Sequence, residues 1–253
     1  MNEANQITSA TKLFGFIAEE AQQNRFAVTL NKRFKSAGDD AMMIPMNIRP
    51  DDFYFTLSNM KQSHVHGAVI GSEYQEQALE IVDSASELCE RCGICDTVTV
   101  NEGRMHGELL LPVALKAVAD RSAASKIAVI GATPLAGAMA VVFKEKEVSF
   151  FDPWIEDLMT LQARLGNELD INRLAEGMGV DLSSYDMLID LSENNDLSMV
   201  NALAKLNVDL KQPRQPSALR QRCIELDAAY SGYESLLDIM TETVYTYLTK
   251  EKQ

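Results

Sequence analysis

Short apolar runs alternate along the chain with amphipathic stretches of helical period. This alternation predicts an α/β protein with mostly parallel sheets. Residues 1–11 read as a ragged end, and Thr11 to Ala18 (TKLFGFIA) as a short buried strand. Glu19 to Lys35 is helical in character, with Phe26, Leu30 and Phe34 at four-residue spacing. Asp39 to Asn47 is a second strand. Pro50 opens a helix with acids in its first turn, where they complement the helix dipole. Val65 to Ile70 is a third strand, and Glu73 to Leu88 another helix. Thr97 to Val100 and Arg104 to Leu109 flank Asn101-Glu102-Gly103 as a hairpin. A helix from Pro112 to about Ala124 joins this half to the next.

In the second half, Ile127 to Ile130 is a buried strand that ends at Gly131. Leu135 to Phe143 is a helix and Val148 to Phe151 a strand. Pro153 to Leu165 is a helix, Ile171 to Met178 a weaker helical stretch, and Tyr185 to Leu191 a buried strand. Ser198 to Leu206 reads as helical and Asn207 to Pro216 as a loop with one short strand. Leu219 to about Thr249 is a last helical element, interrupted at Ser231-Gly232. Two domains are expected: an N-terminal α/β domain over residues 1–111, completed by a C-terminal helix over 231–253, and a Rossmann-like doubly wound parallel-sheet domain over 112–230.

Lys126 to Asp152 carries the clearest chemistry. A Rossmann dinucleotide site needs a strand, a glycine turn, a helix N-terminus for the pyrophosphate, and an acid about 20 residues on for the ribose. Asp152 stands 21 residues after Gly131. The G-x-G-x-x-G/A spacing is met by Gly131, Thr133 and Ala136, so a side chain stands where the second glycine lets backbone approach phosphate. Pro134 also lacks an N–H. Gly131, Ala132, Thr133, Leu135 and Asp152 are the candidate cofactor residues.

The formal charge of −14 argues against nucleic-acid and anionic-membrane partners. No apolar run is long enough for a transmembrane helix, and MNEANQITSATK has no apolar signal core. A cytoplasmic protein with four reduced cysteines is expected.

The order of elements resembles the shikimate/quinate dehydrogenase family over nearly the whole chain. KLFGFIA resembles the family's opening strand, and GAVIGSEYQEQA stands where the family has GANVTVPFKEEA. CDTVTVNEGRMHG resembles its VNT hairpin and the G-R-x-x-G that follows. AVIGATPLAGAMA takes the place of its glycine-rich turn. YDMLIDLS resembles its D-x-x-I-N-A-T strand, and SGYESLLDIMTETVYTYL its final helix. The resemblance implies a substrate domain, an NAD(P)-binding domain, and a small-molecule ligand in the cleft between them. It also implies departures. The family's catalytic lysine falls at Gln75 and its catalytic aspartate at Leu111. The serine pair that holds the substrate carboxylate falls near Glu20 and Gln22, the hairpin asparagine at Asp96, the C-terminal glutamine at Ile239, and the cofactor-side threonine at Ser192. The basic N-R-T/S-x-x-R segment is replaced by Phe151-Asp152-Pro153-Trp154, so NAD is expected ahead of NADP. Two readings follow: an NAD-linked oxidoreductase on a small hydroxylated acid other than shikimate, or a non-catalytic sensor or partner-binding subunit. A homodimer or a partner protein is left open. The methylene-tetrahydrofolate dehydrogenases share the layout but need a lysine base that the sequence does not place.

Other constellations have plainer readings. Cys89, Cys92 and Cys95 have C-x2-C-x2-C spacing, but the fourth cysteine and following proline of a cluster motif are missing. By the resemblance a helix end entering a strand splays these thiols apart as buried small hydrophobes. His64 and His66 share a strand face that His106 could approach, yet no metal is expected. Glu19, Glu20, Glu73 and Glu76 fit helix starts better than a general base. Met42, Met43 and Met46 are assigned to the core. The acid-rich stretch Asp190 to Asp196 follows a strand at the edge where ligands bind in open α/β sheets.

Overall fold

The computed structural model describes residues 8–250 apart from positions 167, 176 and 194. Residues 1–7 of the expected ragged end and the last three positions of the expected C-terminal helix lie outside the described residues. In chain order the first elements are β1 (Lys12–Ala18), α1 (Phe26–Ala37), β2 (Ala41–Asn47), α2 (Pro50–Asn59), β3 (Val65–Ile70), α3 (Gln75–Ile81), β4 (Ser84–Ala85), α4 (Glu87–Cys92), β5 (Thr97–Asn101) and β6 (Arg104–Glu108). Then come α5 (Leu111–Arg121), β7 (Lys126–Ile130), α6 (Pro134–Val142), β8 (Glu147–Asp152), α7 (Ile155–Leu165), β9 (Asp170–Arg173), β10 (Val180–Asp181) and β11 (Met187–Asp190). The last are β12 (Val200–Ala202), β13 (Leu206–Asp209), α8 (Ala218–Glu225), β14 (Tyr230–Ser231) and α9 (Tyr233–Thr249).

The chain divides into two compact units. One runs through Leu111 and resumes at Met240, and the other is Pro112–Ile239. The first holds a mixed six-stranded sheet in the order β2-β1-β3-β5-β6-β4. The second holds a six-stranded sheet in the order β14-β13-β11-β7-β8-β9, parallel at every pairing. The expected α/β class with a doubly wound Rossmann-like sheet holds. Among the described residues no helix is long and apolar enough to cross a membrane.

Local sequence explains why the best-predicted elements form. Phe14 and Phe16, two apart on β1, face α1 and stack on Phe34 and Phe26 at 5.8 and 5.6 Å between ring centres. The four-residue spacing of Phe26, Leu30 and Phe34 gives α1 its buried face. Ile127 to Ile130 is fully buried, as a central parallel strand requires. Pro50 takes the first turn of α2, where its missing N–H costs nothing. Tyr74 is buried, stacks on Phe53 at 4.3 Å and donates its hydroxyl to the Ile48 carbonyl at 2.6 Å. Burial, then the charges of Glu19 and Glu73, push its pKa up to about 12. Tyr74→Phe keeps the ring and deprives the Ile48 carbonyl of this donor. It is expected to cost about 1–2 kcal/mol in urea unfolding; an unchanged midpoint would show that the bond contributes nothing net.

Four expected elements differ, each through a contact distant in sequence or a local cap. The helix placed over 19–35 starts only at Phe26, because Asn24 Oδ1 accepts the Phe26 N–H at 2.8 Å and a short 3-10 turn precedes it. The helix placed over 73–88 breaks into α3 and α4. Asp83 is held by Lys61 at 2.8 Å and the Met105 N–H at 2.7 Å, Ser84–Ala85 pairs with β6, and the Ser86 side chain caps α4. The stretch over 171–178 supplies β9, which extends the sheet beside β8. The stretch over 198–206 holds β12, with β13 beginning at its end. In both, pairing with a neighbouring strand overrides local helical preference. Of the three methionines assigned to the core, Met43 is fully buried while Met42 is exposed.

Candidate functional site

The turn after β7 has the geometry of a ligand cradle. The sheet order places β7 between β11 and β8, so the carboxyl ends of β7 and β11 flank the point where strand order reverses. Gly131 leaves β7 with φ of 105°, and its N–H donates to the Phe151 carbonyl at 2.9 Å. A Cβ at this position would lie 2.8 Å from Ser192 N and 3.0 Å from Leu191 C. Thr133 caps α6, its hydroxyl accepting the Ala136 N–H at 3.2 Å. Pro134 follows at the first helical position. The amide of half-buried Leu135 is then the first-turn donor that the capping threonine does not take.

Asp152 closes this cradle from β8. Its Oδ2 accepts the Ala132 N–H at 3.1 Å and its Oδ1 the Trp154 N–H at 2.9 Å, and the residue is only 6% exposed. Burial raises its pKa, while the Trp154 and Ala132 amides and the neighbouring Asn195 side chain pull it down. Each oxygen accepts one backbone N–H, and a carboxylate oxygen can accept a second donor. Thr133 and Pro134, standing where a dinucleotide site has glycine and a free N–H, are the part of the turn that fits such a cofactor least.

Ser192 is buried. Its N–H and hydroxyl both donate to Asp190 Oδ1, at 3.0 and 2.7 Å, and its oxygen accepts the Asn195 N–H at 3.1 Å. Lys211 Nζ donates to the Ser192 carbonyl at 2.9 Å. Asn195 and Lys211 escaped sequence reasoning. Asn195 was hidden in an acidic loop, and Lys211 reaches Ser192 from 19 positions away.

The candidate substrate residues lie in the first unit. β1 and β3 run parallel, so their carboxyl ends meet at one edge. There the Glu19 N–H donates to Glu73 Oε1 at 2.7 Å, and the Gln22 N–H to Asn47 Oδ1 at 2.9 Å. The side chains of Glu20 and Gln22 are exposed. Gln75 opens α3. Its Nε2 donates to the Ile70 carbonyl at 3.3 Å, and its carbonyl accepts the Cys95 N–H at 3.0 Å. Asp96 is buried, with a carboxylate that accepts the Leu110 N–H at 2.9 Å, the Leu111 N–H at 2.7 Å and the Thr97 hydroxyl at 2.8 Å. Burial pushes its pKa up to about 6 against the pull of those donors. Leu111, half-buried, starts α5. Ile239 is buried in α9. At this edge Gln75 and Leu111 cannot exchange protons, and the Asp96 oxygens serve the start of α5.

Two other groupings look different in space. His66 is exposed beside Phe14, and His106 Nδ1 pairs with the Ser84 hydroxyl at 2.9 Å. Among the described residues no three His, Cys, Asp or Glu side chains gather as a metal-holding group. The three clustered cysteines are all buried. Left-handed Gly93 ends α4, the Cys89 sulfur accepts the Ser86 hydroxyl at 3.4 Å, and the Cys95 thiol donates to the Thr97 carbonyl at 3.3 Å.

No protein-family model matches the chain. It is 25% identical over 240 residues to the shikimate dehydrogenase (NADP(+)) of Shouchella clausii, covering 90% of this chain and 82% of that protein. Solved structures share the fold. A shikimate dehydrogenase in complex with NADP+ superposes with a TM-score of 0.79 at 14% identity, over 99% of this chain and 94% of that one. An Ael1 enzyme from Pseudomonas putida gives 0.81 at 13% identity, over 96% and 94%. The chain is thus similar at low identity to shikimate dehydrogenases, and it shares the fold of their solved structures.

Proposed function

We propose that this relative of the shikimate dehydrogenases binds a small hydroxylated ligand and does not turn over shikimate. In this reading residues 1–111 with 231–253 hold the ligand, and 112–230 correspond to the cofactor domain. The observation that carries it is the contact between Asp96 and Leu111. Where the resemblance puts a catalytic aspartate, the chain has a leucine whose amide is bound by a buried carboxylate. Gln75, at the lysine position, holds a backbone carbonyl and cannot relay a proton. Exposed Glu20, where a substrate carboxylate would be held, repels one. The role is that of a sensor or of a subunit that works with a partner protein.

A second reading is an NAD-linked oxidoreductase on a small hydroxylated acid other than shikimate. Gly131 favours it, because the backbone still makes its close approach at the reversal point. Asp152 at the ribose position would then select NAD over NADP.

Assays with shikimate and either cofactor are expected to show no turnover. In thermal unfolding, millimolar NAD or NADP is expected to move the midpoint by less than about 1 °C. A ligand at 100 times its Kd would add about 2.7 kcal/mol and move a chain of this size by several degrees. Turnover of shikimate would overturn the first reading. A clear shift with NAD alone would favour the second.

A further inference from the structure

We propose that the outer edge of the N-terminal sheet is closed against a second copy of this chain, and that Asn31 and Pro45 are the residues that close it. β2 is the edge strand of that sheet, hydrogen-bonded to β1. An edge strand offers its outward N–H and C=O groups to another strand. In a parallel pair the residues of one strand alternate, each turning both backbone groups toward its partner or away from it. The Asp40 carbonyl accepts the Lys12 N–H at 2.9 Å, and the Ile48 N–H donates to the Ala18 carbonyl at 3.0 Å. Even-numbered positions therefore face β1, and Ala41, Met43, Pro45 and Asn47 face outward.

The two central outward positions are blocked by different means. Asn31, on α1, takes both backbone groups of Met43. Its Oδ1 accepts the Met43 N–H at 2.7 Å, and its Nδ2 donates to the Met43 carbonyl at 2.8 Å. The side-chain amide thus stands in for the peptide group of a neighbouring strand. Pro45, two residues on, has no N–H to offer. Ala41 and Asn47 remain, at the two ends of the strand.

What this closure holds off follows from the side chains. β2 reads AMMIPMN and carries no charge. Met42 and Ile44 point to one face and are 36% and 41% exposed. A chain of net charge −14 repels its copies over most of its surface, but nothing within β2 does. An antiparallel β2–β2 pair centred on Met43, across a two-fold axis, would set Met42 of each copy opposite Ile44 of the other. An uncharged, apolar strand of this kind pairs with itself when its edge is open.

The test is the double substitution Asn31→Ala with Pro45→Val in the full chain, weighed by light scattering over a concentration series. The expected result is a folded chain whose mass rises with concentration to twice that of wild type and falls back on dilution. Adding Ile44→Lys is expected to return the mass to the wild-type value. A folded double variant that keeps the wild-type mass throughout would overturn the proposal, and so would association that Ile44→Lys leaves unchanged. Where the double variant does not fold, amide hydrogen exchange of wild type decides. The Met43 N–H is expected to exchange about tenfold more slowly than that of Ala41, which faces outward on the same strand. Equal rates would show that Asn31 does not hold the edge.

Discussion

Gly131→Ala is expected to lower stability by about 3–5 kcal/mol, near the upper end for a single substitution. Two costs combine. The backbone at Gly131 has φ of 105°, a region an L-residue enters at about 1–3 kcal/mol. The new Cβ would also meet Ser192 N at 2.8 Å and Leu191 C at 3.0 Å, which are backbone atoms. That backbone cannot simply retreat, because the Leu191 N–H is bonded to the Ile130 carbonyl at 2.8 Å and Ser192 is tied to Asp190. Gly38→Ala is the matched control. Its φ is 80°, but a Cβ there meets nothing within 4 Å, so it carries the backbone cost alone, about 1 kcal/mol. Urea unfolding of both variants separates the terms. Equal losses would mean that the β11 loop does not pack on the turn.

How much of this was legible follows the range of the forces involved. The segment from Lys126 to Asp152 was readable almost to the residue because its signals are local: a continuous apolar run, a glycine, a helical stretch and a second apolar run that ends on a carboxylate. The stretches over 171–178 and 198–206 were misread because an isolated short apolar run does not say which neighbour it will pair with. β9 exists through its partner β8. The same limit applies at the candidate site. Asp152 could be placed at the end of its strand from spacing alone, but not the two amides that occupy its oxygens.

Asp96→Asn is expected to change how stability depends on pH, and the sign decides between two physical accounts of the same carboxylate. Hydrogen bonds from Leu110, Leu111 and Thr97 favour the charged form, while burial favours the neutral one. With burial dominant, the folded pKa is about 6 against an ordinary value of 3.8. Between those values the folded chain keeps a proton that the unfolded chain has released. The stabilisation is therefore complete below about pH 4 and is lost as pH rises through 6, amounting to about 3 kcal/mol. Asparagine, the residue the shikimate dehydrogenase resemblance places here, can keep an oxygen toward the Leu110 and Leu111 amides and does not titrate. Relative to wild type, Asp96→Asn is expected to gain about 3 kcal/mol between pH 4 and pH 7 in urea unfolding. If the hydrogen bonds dominated instead, the folded pKa would fall below 3.8, and wild type would lose stability relative to the variant on acidification. A flat difference across the range would mean that Asp96 titrates alike in folded and unfolded chains, contrary to its burial at the start of α5.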